Sequence, residues 1–122
     1  MRKLFHAAIL MGFFLSAFAL RAQQVCPGLP YIANTPEDEL MQAVNGAETP
    51  QEQIAALDKF SQEHADSKFM PCVEEYFTMA YLKLNDYDKV IEHGQKGLAG
   101  EYKDMMLMLN LIKGFVASGK VE

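Results

Sequence analysis

The chain has 122 residues, of which 50% are hydrophobic and 22% charged, and it contains five prolines and two cysteines. This composition is typical of one small globular domain and excludes a low-complexity chain. A formal net charge of −5 disfavours binding to the phosphate backbone of nucleic acids.

The first 22 residues have the layout of a secretory signal peptide. Arg2 and Lys3 precede an apolar run from Ala7 to Leu20, and the small residues Ala17, Ala19 and Ala22 offer a cleavage site. A retained membrane anchor is the alternative, but this run of 14 residues would span only about 21 Å of a hydrocarbon core about 30 Å thick. We therefore expect export to the periplasm or the medium, with cleavage after Ala22 or at the earlier Ala17-x-Ala19 pattern.

Cleavage would make the remaining chain more acidic. Arg2, Lys3 and Arg21 would leave while every acidic residue stays, so eight basic and 16 acidic side chains would remain, with a net charge of −8. Basic proteins or cationic segments are then easier partners than nucleic acids, although an acidic surface that only maintains solubility is the commoner case. We expect no stable membrane span after removal of the signal.

Two cysteines in an exported chain point first to a disulfide bond between Cys26 and Cys72. Pro27 and Pro30 disfavour helix around Cys26, so residues 23–34 are predicted to be extended and able to fold back over the domain. Closing the 46-residue separation would contribute about 4 kcal/mol in the loop-entropy model. The alternative is that the cysteines are independent and Cys72 is a small buried side chain.

Other chemistry at the cysteines has less support. Lipid attachment to Cys26 is disfavoured, because lipoprotein motifs have a small residue before the cysteine and the apolar segment immediately upstream of it. Here Gln23, Gln24 and Val25 intervene. A metal site would need closer spacing than Cys26, Cys72, His64 and His93 provide, and no local feature supports Cys72 as a nucleophile. We therefore predict no catalytic residue, metal or cofactor, and we expect the histidines on helix surfaces.

From residue 35 onward, residues that are typical of helix starts and helix ends recur at regular intervals. They predict about five helices in residues 35–122. Thr35 and Pro36 begin the first helix, which Gly46 ends. Thr49 and Glu52 form a capping box for the second. The remaining predicted bounds are an end near Ala65 for the second helix, about Pro71 to Leu84 for the third, Tyr87 to about Leu98 with Gly100 as terminator for the fourth, and about Tyr102 to Ser118 for the fifth.

The fourth helix contains two glycines in its interior. Gly94 and Gly97 each cost about 1 kcal/mol relative to alanine, so close approach of a neighbouring helix is expected there. The inward residues of this helix are predicted to be Tyr87, Val90, Ile91, Gly94 and Leu98.

Comparison of the chain with itself shows a period of 34 residues. Apolar positions match apolar positions and turn matches turn when Phe77, Tyr81, Leu82 and Asn85 are set against Leu111, Phe115, Val116 and Gly119. This is the period of tetratricopeptide repeats. The segment AYLKLNDYDKVIE at residues 80–92 resembles the A-Y-x-x-x-G-D-Y-x-x-A-I-E core of that family, with departures at Asn85, Val90 and Gly94. The alternative is a plain antiparallel helical bundle.

The resemblance implies an all-α fold of antiparallel helix-turn-helix repeats, a tetratricopeptide-like α-solenoid, in which first helices line a concave groove. That groove would be mostly apolar and suited to an extended or helical peptide, although Leu82 and Leu109 could instead belong to the core. The implied groove residues are Glu75, Met79, Leu82 and Lys83 of the third helix and Met106, Leu109, Lys113 and Val116 of the fifth.

The fifth helix is apolar on nearly every side, since Asn110 is the only polar residue in MMLMLNLI. Such a helix is usually packed against neighbouring elements on several sides. The last repeat is expected to be incomplete at Glu122. We predict a non-catalytic scaffold of the cell envelope that binds a protein or peptide partner. The alternative is a structural or self-assembling envelope protein that oligomerises through the Met-rich helix at residues 105–116.

Overall fold

A computed structural model describes residues 32–100 and 103–121, and this part of the chain contains five α-helices and no strand. The all-α fold with about five helices is therefore confirmed. The predicted signal peptide, Cys26 and most of the N-terminal segment that was predicted to be extended lie outside the described residues. The helices are α1 (Pro36–Gly46), α2 (Pro50–Glu63), α3 (Met70–Leu84), α4 (Tyr87–Leu98) and α5 (Met105–Ser118).

Side-chain caps fix the starts of α1, α2, α4 and α5. The N-cap residues Thr35, Thr49, Asp86 and Asp104 each accept a hydrogen bond from a backbone N–H in the first turn. The predicted capping box is present, because Glu52 N–H donates to Thr49 Oγ1 (3.2 Å) and Thr49 N–H donates to Glu52 Oε2 (3.3 Å). These local interactions explain why most helix starts could be identified from the sequence.

Two helix ends differ from the prediction. The second helix ends at Glu63 rather than near Ala65, with His64 as its C-cap. The fifth begins at Met105 rather than Tyr102, because Asp104 Oδ1 accepts the Met106 and Leu107 N–H groups at 2.6 and 3.4 Å. Asp104 was thus expected inside the helix but is its N-cap.

The 34-residue period is visible in the backbone at the ends of α3 and α5. Asn85 (φ 57°, ψ 25°) and Gly119 (φ 71°, ψ 14°) both adopt the left-handed conformation. In each case the following N–H reaches back to a helix carbonyl, Asp86 to Tyr81 and Lys120 to Phe115. The first helix departs from the period, since it ends with the extended Ala47. The arrangement is consistent with helical repeats that are most regular from α3 onward.

The main hydrophobic core lies among α1, α2 and α3. Leu57, Cys72 and Val73 have no exposed surface. α3, which contributes Cys72 and Val73, is the central helix, because it packs against α2, α4 and α5. The buried cluster comprises Leu40, Met41, Val44, Leu57, Phe60, Phe69, Cys72, Val73, Tyr76 and Phe77.

Glycines set the close packing of α4 on α5. A Cβ on Gly94 would lie 2.9 Å from Leu111 Cδ1, and a Cβ on Gly97 would lie 2.7 Å from Leu107 Cδ2. The close approach expected from these glycines is confirmed. Gly114 of α5 has the reciprocal role, since its Cβ would lie 2.8 Å from Cγ1 of Val90.

Candidate partner-binding surface

The orientation of α5 is set by its one polar residue in the apolar run. Asn110 is buried, and its Nδ2 donates to Thr78 Oγ1 of α3 at 3.1 Å. The Thr78 hydroxyl in turn donates to the Glu75 carbonyl at 2.6 Å. Leu107 and Gly114 are buried on the same side of α5. The polar position therefore faces inward, and apolar positions are left to face outward.

The outward side of α5 is almost entirely apolar. We call this surface the outer face of α5 and define it by Met105, Met108, Leu109, Ile112 and Val116, which recur every three or four residues and are all exposed. In the described part of the chain nine large hydrophobic side chains are exposed, and six of them belong to α5. This clustering distinguishes the face from the isolated exposed apolar residues that are normal on a protein surface.

The structure separates the four predicted groove residues of α3. Met79 and Lys83 are exposed and Leu82 is half-buried. Glu75 is only 4% exposed, so its side chain adds almost nothing to an accessible groove. Three of the four predicted α3 positions thus retain surface that a partner could touch.

All four predicted groove residues of α5, namely Met106, Leu109, Lys113 and Val116, are exposed. The alternative of Leu109 as a core residue does not fit its 42% exposure. α3 and α5 pack side by side and are joined by the Asn110–Thr78 hydrogen bond. The accessible residues of α3 and α5 therefore belong to two helices that pack directly against each other.

His93 was expected at a helix surface, and that expectation is wrong. Its side chain is buried, with Nδ1 2.6 Å from Glu74 Oε2 of α3. Its ring stacks on Phe77 at 4.2 Å and on Tyr81 at 5.4 Å between centroids. Burial also raises the pKa of the Tyr81 phenol. This cluster fastens α4 to α3 and has the character of a structural contact.

A sequence signal for His93 did exist. Val90, His93 and Gly97 are spaced by three and four residues, which places them on one helix face, and all three are buried. The prediction placed His93 at the surface because histidine is a polar residue type, although the spacing favoured a buried position.

Cys72 is fully buried and disulfide-bonded. Because Cys26 lies outside the described residues, the Cys26–Cys72 pairing stays a prediction. Among residues 32–100 and 103–121, no three His, Cys, Asp or Glu side chains lie close enough to hold a metal ion. None of the helices described is long and apolar enough to cross a membrane.

The exposed side of α4 is highly charged, unlike that of α5. Glu92 accepts hydrogen bonds from Lys89 and Lys96, both at 2.7 Å, and these bonds lower the pKa of Glu92 to about 2. In α5 the sole charged residue is Lys113. The two neighbouring helices therefore present surfaces of different chemistry.

A small cleft of about 140 Å³ lies between α1 and α2. Its lining mixes apolar Leu40 and Phe60 with charged Glu39, Lys59 and Glu63. Pockets for drug-sized ligands usually measure at least about 300 Å³. The α3–α5 surface is therefore the better candidate for a functional site.

Comparison of the chain with protein-family models, with curated proteins and with solved structures gave no match. The candidate surface consequently rests on the geometry and chemistry of these residues.

Proposed function

We propose that the chain is a tetratricopeptide-like interaction module without chemistry of its own, which binds a segment of a partner protein on the α3–α5 surface. The observation that carries the proposal is the concentration of exposed hydrophobic side chains on α5. An exposed apolar helix face beside polar residues is typical of a docking site for another helix or an extended segment.

The α3 side of the surface supports the same function. Met79 is an exposed apolar residue of α3, which packs against α5, and its flexible thioether side chain can adapt to partners of different shape. Lys83 and Lys113 are exposed and could pair with carboxylates at the rim of a bound segment. The left-handed turns at Asn85 and Gly119, 34 residues apart, support the repeat interpretation.

We further propose that this module works outside the cytoplasm, in the periplasm or beyond. The signal-peptide layout of residues 1–22 supports export. A disulfide bond at Cys72 also supports it, because such bonds persist mainly in oxidising compartments.

Position-specific photocrosslinking tests the binding surface. A photoreactive amino acid replaces Met79 or Met106, and the same amino acid at exposed Gln62 of α2 is the matched control. Irradiation of cells that export the variants should give a cross-linked protein product from positions 79 and 106 and none from position 62. Adding Val116→Glu should reduce the product at position 106, because a buried carboxylate opposes apolar docking.

Equal products from all three positions would contradict a specific surface. A product at position 106 that is insensitive to Val116→Glu would contradict apolar docking on α5. The thermal midpoint of each variant should match that of the wild type, since the replaced side chains are exposed.

A further inference from the structure

We infer that the occupant of the outer face of α5 is the same face of a second copy, with the two α5 helices antiparallel about a two-fold axis. The inference rests on the proposed function, because the outer face shares Leu109 and Val116 with the surface proposed there and the inference names the partner of that shared part.

Electrostatics restrict self-association to the outer face of α5. The chain has a net charge of −5, so two copies repel one another over most orientations. The outer face of α5 carries no charged residue, and Lys113 is the one charge anywhere in the helix. It is therefore a part of an acidic molecule on which two copies can meet without bringing carboxylates together.

The spacing of the outer face makes it self-complementary. A two-fold axis between Leu109 and Ile112 would place these two residues opposite each other across the interface. The same axis would place Met105 of one helix opposite Val116 of the other. Four of the five side chains of the outer face then meet an apolar side chain across the two-fold axis, and Met108 lies opposite Lys113. Antiparallel alignment also opposes the two helix dipoles favourably.

The exposed area is sufficient for a weak dimer. Met105, Ile112 and Val116 are 69%, 57% and 65% exposed. At roughly 100 Å² of accessible surface for each of the five side chains, two copies would bury roughly 1,000 Å², near the lower limit for a specific interface. We therefore expect a reversible dimer that forms at micromolar concentrations.

Sedimentation equilibrium of the purified protein tests the pairing, and the chain offers a closely matched control. Ile112 on the outer face is 57% exposed, and Ile32, which precedes α1, is 59% exposed. Wild type and Ile32→Glu should approach twice the monomer mass as concentration rises from about 1 to about 500 μM. Ile112→Glu should associate at least about tenfold more weakly, because the symmetry introduces the buried carboxylate twice.

A charge-pair experiment tests the orientation. Met105→Glu and Val116→Lys should each weaken self-association. Mixing them should restore a heterodimer at least about tenfold tighter than either homodimer, since antiparallel helices bring positions 105 and 116 together. A mixture no tighter than its components overturns the antiparallel pairing.

The self-pairing and the proposed function fail in different ways. A wild type that stays monomeric throughout the concentration range overturns self-pairing, as does equal weakening by Ile32→Glu and Ile112→Glu. If the photoreactive group at Met106 still captures a different protein, the proposed function remains supported. Absence of both dimer and position-specific cross-link overturns both.

Discussion

Asn110 of α5 and Thr78 of α3 form a buried polar contact between the two helices. Buried hydrogen bonds contribute little net stability, but loss of one partner leaves the other unsatisfied. The Asn110 amide can donate its hydrogen bond to Thr78 only when the side of α5 that carries Asn110 faces α3. The pair therefore specifies which face of a nearly uniform apolar helix is buried, and so which face is left for a partner.

A double-mutant cycle measures this contact. Thr78→Val should lower the free energy of unfolding by about 1–3 kcal/mol, because the buried Asn110 amide loses its acceptor. Asn110→Leu should also destabilise, but the double variant should lose less than the sum of the two single losses. Urea denaturation of the four proteins gives the coupling free energy. Strict additivity would show that the contact does not position α5.

Gly114 lies at a tight contact between α5 and α4. An alanine Cβ there would lie 2.8 Å from Val90 Cγ1 and 3.2 Å from Val90 Cβ. Val90 is fully buried, and its branched side chain has one preferred rotamer in a helix, so it cannot move away easily. Gly114→Ala should therefore destabilise the fold by about 1–3 kcal/mol from overpacking, despite a gain of about 1 kcal/mol in helix propensity.

Gly46→Ala is the matched control for that substitution. At the end of α1, no heavy atom lies within 4 Å of the place that the alanine methyl group would occupy. The thermal midpoint of this variant should equal or exceed that of the wild type. If Gly114→Ala is as stable as Gly46→Ala, the α4–α5 contact tolerates an extra methyl group and glycine is not required there.

Local residue patterns predicted much of the core but assigned the buried polar residues wrongly. Val90 and Gly94 were placed inward correctly because helical spacing identifies them. His93 was assigned to the surface by residue type, and the inward position of Asn110 was not identified. Their partners, Glu74 and Thr78, are 19 and 32 residues away in sequence. A pattern read within one helix carries no information about such partners.

At the scale of helices, the starts were largely predictable and the exposed face of α5 was not. N-caps such as Thr35 and Thr49 act within four residues, so the sequence contains the whole interaction. The groove positions of α5 came from the family resemblance, and the structure shows that these residues are exposed. The outer face as a whole required the structure, because a helix apolar on nearly every side gives no periodic signal for its buried face.

Glu37 links α1 to the turn before α3. The Ser67 hydroxyl donates to Glu37 Oε1 at 2.7 Å, and this bond lowers the pKa of Glu37 below 4.5. A lowered pKa in the folded state means that the bond stabilises the fold above about pH 4.5 and is lost as the pH falls through the lowered value. The site is only partly buried, and solvent screens the interaction, so we expect a contribution of only about 0.5 kcal/mol.

Glu37→Gln tests this dependence, because the amide can accept the same hydrogen bond but does not titrate. Wild type should be slightly more stable than the variant at pH 7, and the difference should vanish near pH 3. Thermal unfolding at several pH values measures it. A stability difference that stays constant or grows as the pH falls would contradict the sign derived from the Glu37 pKa.

At the scale of the whole molecule, the helices are unequally connected. α3 packs against three other helices and α4 against two, whereas α1 has close backbone contact with α2 alone among the described helices. α5 contacts both α3 and α4 despite its exposed outer face. Local stability in proteins follows such differences in contact, so α1 should open more readily than the rest.

Hydrogen exchange followed by mass spectrometry tests this order. Amides of α3 and α4 should exchange last, because they open only with the whole domain, and those of α1 should exchange at least about tenfold faster. α5 should resemble α4, since the Asn110–Thr78 bond and the glycine contacts hold its inner side. Thr78→Val should then raise exchange in α5 more than in α1. Equal protection of α1 and α3 would mean that the domain opens as a single unit, and faster exchange in α5 than in α1 would mean that its inner contacts do not secure it.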